Sequence, residues 1–207
     1  ASDVYKRQIP PSEIGEIALL LHSDELRDAA SLTWVNYLST PAVYGDRSGG
    51  VASEFDEPTP TSKRGERRLA AERAWIDTFS DTRVSVQIMR IAGIYGPGRS
   101  VIEQVAAGRA RIIEKEGQVF NRIHVDDIGT SLIASMLRPN DKRIYNLADG
   151  NPCASGDVTR YACKLLQVEP PTPIKFEDAQ LSDMARSFYS ECKILETSRL
   201  RNESVSY

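Results

Sequence analysis

Apolar residues follow two spacings along the chain, one typical of helices and one typical of strands. A helix is predicted from an N-cap at Ser12 to about Ala30, because apolar residues recur there every three to four positions, at Ile14, Ile17, Ala18 and Leu21. Residues 32–38 are a short aromatic and β-branched run and predict a buried strand. Residues 44–62 are rich in Gly, Asp, Pro, Ser and Thr and predict a long loop, a feature that usually has a function.

The same alternation continues to the end of the chain. Helices are predicted over residues 63–79, from Ser100, after an N-cap at Asp126, and from Ser155, the last with an apolar stripe at Val158, Tyr161, Ala162, Leu165 and Leu166. Strands are predicted over residues 84–91, 121–125 and 143–146, with a glycine-rich turn over residues 93–98. Strands that alternate with helices favour βαβ units, so we expect an α/β fold with a mostly parallel sheet and flanking helices.

Composition and length narrow the class of protein. The 207 residues are enough for one domain, and a net charge of −3 with both signs interspersed argues against nucleic acid or a membrane surface as the main partner. No apolar run approaches the length of a membrane-spanning helix, and residues 1–8 lack the apolar segment of a signal peptide. Three cysteines without a CxxC pair favour free thiols in a reducing compartment, the cytoplasm or an organelle stroma. Two histidines are too few for a recognisable zinc site, so no metal is predicted.

Four segments carry a family resemblance. They read YLSTPAVYG over residues 37–45, MRIAGIYGPG over residues 89–98, HVDD over residues 124–127 and YNLADG over residues 145–150. In this order and spacing they resemble the extended short-chain dehydrogenases/reductases, the NAD-dependent epimerase/dehydratase family. The resemblance implies a Rossmann-type sheet that binds NAD or NADP and a small C-terminal substrate lobe, with lobe segments over about residues 99–145 and 170–207.

The resemblance also implies site residues. Thr40 follows a strand at the carboxyl edge of the sheet, where open α/β sheets bind ligands, so its hydroxyl is a candidate contact for substrate or nicotinamide; the alternative is a strand-end cap. The resemblance places the backbone of Gly93, Ile94 and Tyr95 against the nicotinamide end of the cofactor, and glycine lets a flat ring approach closely. Candidate substrate-binding residues are Arg122, His124 and Arg186; for His124 the alternative is a core histidine.

The sequence departs from the family pattern at the catalytic positions. The family uses a Tyr-x-x-x-Lys pair on the helix after the hydroxyl strand, and an alignment on Glu72 places Arg64 at the tyrosine and Arg68 at the lysine. A guanidinium stays protonated, so Arg64 cannot act as a base, whereas Arg68 can bind ribose or phosphate oxygens. Two interpretations of the arginines remain open: the cluster from Arg64 to Arg68 forms an anion site for an acidic substrate with Arg122 and Arg186, or Arg67, Arg68 and Arg73 form a solvated helix face. A literal Tyr-x-x-x-Lys match at Tyr189 and Lys193 lies after the substrate-lobe motifs and is interpreted as a chance match.

Other departures concern the substrate and the cofactor phosphates. Many nucleotide-sugar members carry an arginine four residues before the HVDD histidine, where this chain has Phe120, and Gly93 replaces a common asparagine. No GxGxxG or GxxGxxG motif precedes a helix, and the N-terminal strands that would carry it are not in this sequence. We therefore expect that the diphosphate site lies outside these 207 residues.

Two functions remain open at this point. The first is an NAD(P)-binding oxidoreductase-like or epimerase-like protein in which Thr40 orients a small-molecule substrate and water or a group other than tyrosine moves the proton. The second is a non-catalytic sensor or scaffold that binds the cofactor, and a generic interaction module would follow if no dinucleotide binds. Without the first strands, we expect exposed apolar surface, poor solubility and no measurable cofactor affinity for this chain alone.

Overall fold

Short strands and helices alternate along residues 11–204, the part of the chain that the computed structural model describes. In chain order they are α1 (Ile17–Asp28), β1 (Trp34–Ser39), β2 (Val51–Ala52), α2 (Lys63–Thr78), β3 (Ser85–Ile91), β4 (Gly93–Tyr95), α3 (Val101–Ala106), β5 (Ile113–Glu114), β6 (Arg122–His124), α4 (Val125–Leu137), β7 (Arg143–Leu147), α5 (Ser155–Leu166), β8 (Ile174–Lys175), α6 (Asp183–Phe188), β9 (Ile194–Leu195) and α7 (Ser198–Ser204). Two 3-10 turns cover Pro41–Tyr44 and Phe176–Asp178. The predicted α/β class is confirmed.

The main sheet has three parallel strands in the order β1-β3-β7. The central strand β3 is buried from Val86 to Ile91, so its apolar residues pack on both faces of the sheet, and Gln87 and Arg90 are buried among them. In its register Arg90 lies between Ser39 of β1 and Asn146 of β7. The carboxyl ends of β1 and β3 are therefore neighbours at one edge of the sheet.

Helices cover both faces of this sheet. On one face, Leu19 of α1 and Ala71 of α2 pack with Tyr37, Val86 and Ile88. On the other face, the core joins Met89 and Leu147 of the sheet to Ile128 of α4, with Leu200 of α7 packed against it. The burial of these side chains supplies the main stabilisation of the two layers.

Three pairs of short parallel strands form separate two-stranded sheets: β2 with β9, β4 with β6, and β5 with β8. Strand β2 lies within the predicted loop of residues 44–62, and its pairing with β9 joins this loop to the C-terminal segment. The same region is tied together again where Asp46 Oδ1 accepts a hydrogen bond of 2.7 Å from the amide of Cys192. The long loop is therefore held in place by the end of the chain.

One edge of the main sheet borders an apolar groove. Within the described residues β1 pairs only with β3. Beside its other edge lies a groove of about 360 Å³, lined by Trp34, Asn36 and Leu38 of β1 and by Leu132, Ile133 and Met136 of α4. This is the exposed apolar surface that the sequence led us to expect.

The predicted start of the first helix is wrong. Ser12 does not cap it: its amide donates to the carbonyl of Gly15 in a tight turn, and α1 begins only at Ile17, with Glu16 as its N-cap. Gly15 has φ of +128°, a left-handed conformation that ends any helix before it. As a result Ile14 of the predicted stripe is 83% exposed, and Leu19, outside the stripe, is buried.

Two further boundaries and the buried side of α5 differ from the predictions. The predicted turn over residues 93–98 begins as strand β4, because residues 93–95 pair with β6, and the turn itself is confined to residues 96–99. His124, and not Asp126, is the N-cap of α4. In α5 the buried side is formed by Gly156, Thr159, Ala162 and Cys163, so Tyr161 and Leu165 of the predicted stripe are exposed.

Candidate functional site

Thr40 lies at the carboxyl edge of the sheet, immediately after β1. It is half-buried, has extended backbone angles and caps the following 3-10 turn, where its Oγ1 accepts a hydrogen bond of 3.4 Å from the amide of Ala42. The alternative predicted for Thr40, a strand-end cap, therefore accounts for the hydrogen bond that its hydroxyl accepts. A hydroxyl that accepts one hydrogen bond still has a proton to donate, so capping does not prevent contact with a ligand.

A buried ionic network lies beneath Thr40. Glu72 of α2 accepts bonds of 3.1 and 2.6 Å from Nε and Nη2 of Arg90, and a third of 2.5 Å from Oγ of Ser39. The Arg90 and Glu72 side chains are 1% and 2% exposed. Burial opposes the charge on Arg90, but its hydrogen bonds and attraction to Glu72 prevail and raise the pKa of the guanidinium. The pair fixes α2 against the ends of β1 and β3.

Tyr44 continues this network across the sheet. Its ring packs 4.6 Å from the Arg90 guanidinium carbon, and its hydroxyl donates to Oδ1 of Asn146 at 2.9 Å. Asn146 in turn donates through Nδ2 to the carbonyls of Ala52 and Glu196, next to β2 and β9. Because Tyr44 is fully buried, its role is structural.

Arg64 and Arg68 lie in different environments. Arg64 is exposed on the first turn of α2, with its guanidinium carbon 5.8 Å from the ring centroid of Phe188. Arg68 is buried, and its Nη1 donates to the Tyr37 hydroxyl at 2.9 Å and to the Leu38 carbonyl at 3.2 Å. Burial raises the pKa of Tyr37 to about 12, although the nearby Arg68 opposes this shift. Arg68 thus links α2 to β1.

Strand β4 supplies the glycine backbone of the site. Gly93 is exposed, and its amide donates to the Asn121 carbonyl at 3.1 Å. The Tyr95 ring meets the His124 ring edge-on, with centroids 5.3 Å apart. His124 Nδ1 accepts a bond of 3.3 Å from the amide of Asp126, which orients its ring at the start of α4. We call Thr40, Gly93, Ile94 and Tyr95 the strand-end site.

The other two candidate arginines are not brought together in one anion site. Arg122 Nη1 donates to the carbonyls of Phe120 and Cys153, at 3.0 and 3.1 Å. Arg186 is exposed on α6, with its guanidinium carbon 5.2 Å from the ring centroid of Phe176. Arg122 is therefore oriented by backbone carbonyls, whereas Arg186 lies on the surface of the C-terminal segment.

Known proteins share sequence and fold with this chain. A solved structure of a functionally unknown conserved protein from Silicibacter pomeroyi DSS has 40% sequence identity and a TM-score of 0.90, and the match covers 97% of this chain and 70% of that chain. Our chain belongs to the family of that protein. Protein YeeZ from Escherichia coli (strain K12) is 30% identical over 168 residues, which are 81% of this chain.

A solved structure with lower sequence identity has a similar fold. MoeE5 in complex with UDP-glucose and NAD has a TM-score of 0.69 at 22% identity, covering 88% of this chain and 62% of that chain. This likeness shows a shared Rossmann-like fold. No protein-family model matches the chain. The match to YeeZ covers 55% of that protein, so the chain spans about half the length of this curated relative.

The side chains of Tyr189 and Lys193, the literal Tyr-x-x-x-Lys match, do not form one site. The two side chains make different contacts. The Tyr189 hydroxyl lies 3.1 Å from Oγ of Ser155, whereas Lys193 Nζ donates to the carbonyl of Pro41, the residue after Thr40, at 3.3 Å. Lys193 is buried and also pairs with Glu191 at 2.6 Å. No local pattern predicts the contact of Lys193 with Pro41, because it joins residues 152 positions apart.

None of the helices in residues 11–204 is long and apolar enough to cross a membrane. Over the same residues, no three His, Cys, Asp or Glu side chains are grouped so that they could hold a metal ion. All three cysteines are free thiols, and Cys163 is buried.

Proposed function

We propose that the protein containing this chain binds NAD or NADP and acts as an oxidoreductase-like or epimerase-like enzyme on a small molecule. The observation that carries the proposal is the position of Thr40 directly after β1, at the carboxyl edge of a parallel sheet where β3 also ends and is followed by the exposed Gly93. Open α/β sheets bind their ligands at this edge. The fold shared with MoeE5, solved with UDP-glucose and NAD, supports a dinucleotide as the ligand.

The chain fits one end of such a cofactor. Gly93 is exposed, and a Cβ at this position would come within 3.2 Å of the Asn121 carbonyl oxygen, so the glycine keeps open a surface that a side chain would occupy. Ile94 and Tyr95 extend this surface along β4. No glycine-rich phosphate loop occurs in the sequence, so we propose that polypeptide outside these 207 residues holds the diphosphate.

Arg68 contributes to this site through its charge and its anchoring of α2. Because its Nη1 is engaged by Tyr37 and Leu38, direct contact with ribose or phosphate would use the remaining guanidinium nitrogens. A buried cation below the edge also favours an anionic or electron-rich group above it. We therefore retain Arg68 as a proposed cofactor-binding residue.

A bound nicotinamide ring supplies the hydride donor or acceptor. Thr40 would donate its hydroxyl proton to a substrate oxygen and thereby orient the reacting carbon. Arg64 stays protonated and cannot take the proton that leaves a substrate alcohol. We propose that water or a group other than tyrosine takes this proton, and that His124, Arg122 and Arg186 provide the substrate contacts.

The test is hydride exchange by the longest natural polypeptide that contains this chain. Reduced and oxidised NAD and NADP are offered with a broad panel of carbonyl and alcohol substrates, and Thr40→Val is compared with Thr40→Ser. Loss of an oriented hydrogen-bond donor lowers turnover about 100-fold, so we expect that loss for Thr40→Val and smaller effects for Thr40→Ser. Because Thr40 is also a proposed nicotinamide contact, Thr40→Ser should keep the cofactor dissociation constant, whereas Thr40→Val should raise it by about tenfold or less, the effect of one lost hydrogen bond.

Two outcomes would contradict the proposal. Tight binding of the dinucleotide with no hydride exchange on any substrate would make the protein a non-catalytic sensor or scaffold. No dinucleotide binding at all would favour a generic interaction module.

A further inference from the structure

A second cavity lies in the C-terminal part of the fold, away from the strand-end site. It has a volume of about 540 Å³, within the range of small-molecule sites. Its lining comes from β5, the loop after it, the first turn of α5 and the segment from β8 to Tyr189. None of the four residues of the strand-end site lines it, and we call it the lobe cavity.

Aromatic rings form one wall of the lobe cavity. Phe120 meets Tyr189 edge-on, with centroids 5.1 Å apart and planes at 80°. Phe176 stacks behind Tyr189, again at 5.1 Å. The Tyr189 hydroxyl and Ser155 Oγ are 3.1 Å apart and can each donate or accept, so the wall combines ring surface with a pair of hydroxyls.

Charged side chains line the rest of the cavity, and acids outnumber bases. The four acids are Glu114, Glu116, Asp157 and Glu177, and the three bases are Lys115, Arg160 and Lys175. Arg160 pairs with two of the acids, Glu114 and Asp157. Glu116 and Glu177 are exposed and lie outside the ion pairs described for this chain. The same is true of Lys175 and of Lys115, but the Lys115 Nζ donates to the Tyr189 carbonyl, so the charges left without a protein partner in the lining are two acids and one base. Four acids against three bases leave the lining with a charge of −1.

This lining does not suit a nucleoside diphosphate. A diphosphate carries two or more negative charges and is bound by arginines, helix N-termini or glycine-rich loops. Here the one arginine in the lining is already paired with two carboxylates, and Phe120 stands where many nucleotide-sugar enzymes have an arginine. A lining of net negative charge with unpaired carboxylates instead favours a neutral or cationic ligand.

We propose that the lobe cavity binds a cyclic polyol that carries an amino group, such as an amino sugar. An apolar face of the ligand ring would pack on Phe120, because Tyr189 is 8% exposed and already stacked on Phe176. The hydroxyls would bond to Ser155 and Tyr189, and the ammonium group would lie near Glu116 and Glu177. The proposal rests on the proposed function only in treating this ligand as the non-reacting end of the substrate. Binding itself requires no cofactor.

The experiment measures binding by titration calorimetry at pH 7 without any dinucleotide, using the longest natural polypeptide that contains the chain. Glucosamine, glucose and UDP-glucose are the three probes, with a positive, neutral and negative charge respectively. We expect affinity to fall in that order. UDP-glucose binding tighter than glucosamine, or no saturable binding of glucosamine, would overturn the proposal.

Variants locate the binding in the lobe cavity. Replacing both free acids, Glu116→Gln with Glu177→Gln, should weaken glucosamine binding about tenfold and change glucose binding little. The matched control replaces two exposed acids elsewhere, Glu25→Gln with Glu169→Gln, and should leave both affinities unchanged. Equal glucosamine affinity in the two double variants would overturn the assignment. Because hydride exchange is not measured, failure here and failure of the proposed function are separate results.

Discussion

The buried network below Thr40 and the lobe cavity differ in whether their charged side chains are paired within the protein. In the network, Arg90 and Glu72 are nearly inaccessible to water and are bonded to each other and to Ser39. In the lobe cavity, Glu116 and Glu177 remain exposed, outside the described ion pairs. The charges of the first region are therefore paired within the protein, with only Nη1 of Arg90 left buried without a hydrogen bond, whereas the second region has exposed carboxylates left for a ligand.

The largest expected effect comes from removing one charge of the buried pair. Arg90→Met leaves Glu72 buried without its cation and should lower the free energy of unfolding by about 3–5 kcal/mol. Arg160→Met, which breaks two exposed ion pairs at the lobe cavity, should cost about 1 kcal/mol or less. Urea unfolding of the two variants measures the difference. Equal losses would show that the two regions do not differ as described.

A smaller effect should appear at high pH. An unfolded tyrosine ionises near pH 10, but burial raises the pKa of Tyr37 to about 12, so unfolding between these values releases a proton. The stability contributed by Tyr37 is therefore complete below pH 10 and is lost as the pH rises towards 12. Relative to Tyr37→Phe, the natural protein should lose about 2 kcal/mol over this interval. Parallel stability curves for the two proteins would show that Tyr37 is not shielded by burial.

The smallest expected effect concerns the apolar groove beside β1. Met136 is half-exposed there, and Met136→Lys should reduce aggregation of the 207-residue chain, because it places a charge beside an open strand edge. Ile102→Lys, an exposed apolar position on α3, is the matched control and should change little. Light scattering during concentration measures both. Equal behaviour would indicate that the groove is not the site of self-association.

The extent of regular elements could be predicted where a signal is local. Strand β3 was predicted within one residue, because burial on both faces gives a run rich in apolar and β-branched residues, interrupted only by Gln87 and Arg90 within the buried part. The start of α3 follows from Ser100, whose hydroxyl accepts from the Glu103 amide while Glu103 bonds back to the Ser100 amide. The start of α1 could not be predicted, because it depends on the positive φ of Gly15.

The candidate site could be predicted only where a motif marks it. The positions of Thr40 and of Gly93 at the sheet edge follow from the strand ends and the family resemblance. The engagement of Arg68 by Tyr37 and the contact of Lys193 with Pro41 join residues 31 and 152 positions apart. Such contacts depend on how the elements pack, and no spacing within the sequence encodes them.

The central claim is that the strand-end site receives the nicotinamide end of a dinucleotide. The direct test is the NADH dissociation constant of Gly93→Leu in the longest natural polypeptide that contains this chain, with Gly129→Leu, an exposed helical glycine in open space, as the control. We predict binding at least about tenfold weaker for Gly93→Leu, with the control unchanged and both variants folded by thermal unfolding. An unchanged dissociation constant in folded Gly93→Leu would contradict the claim.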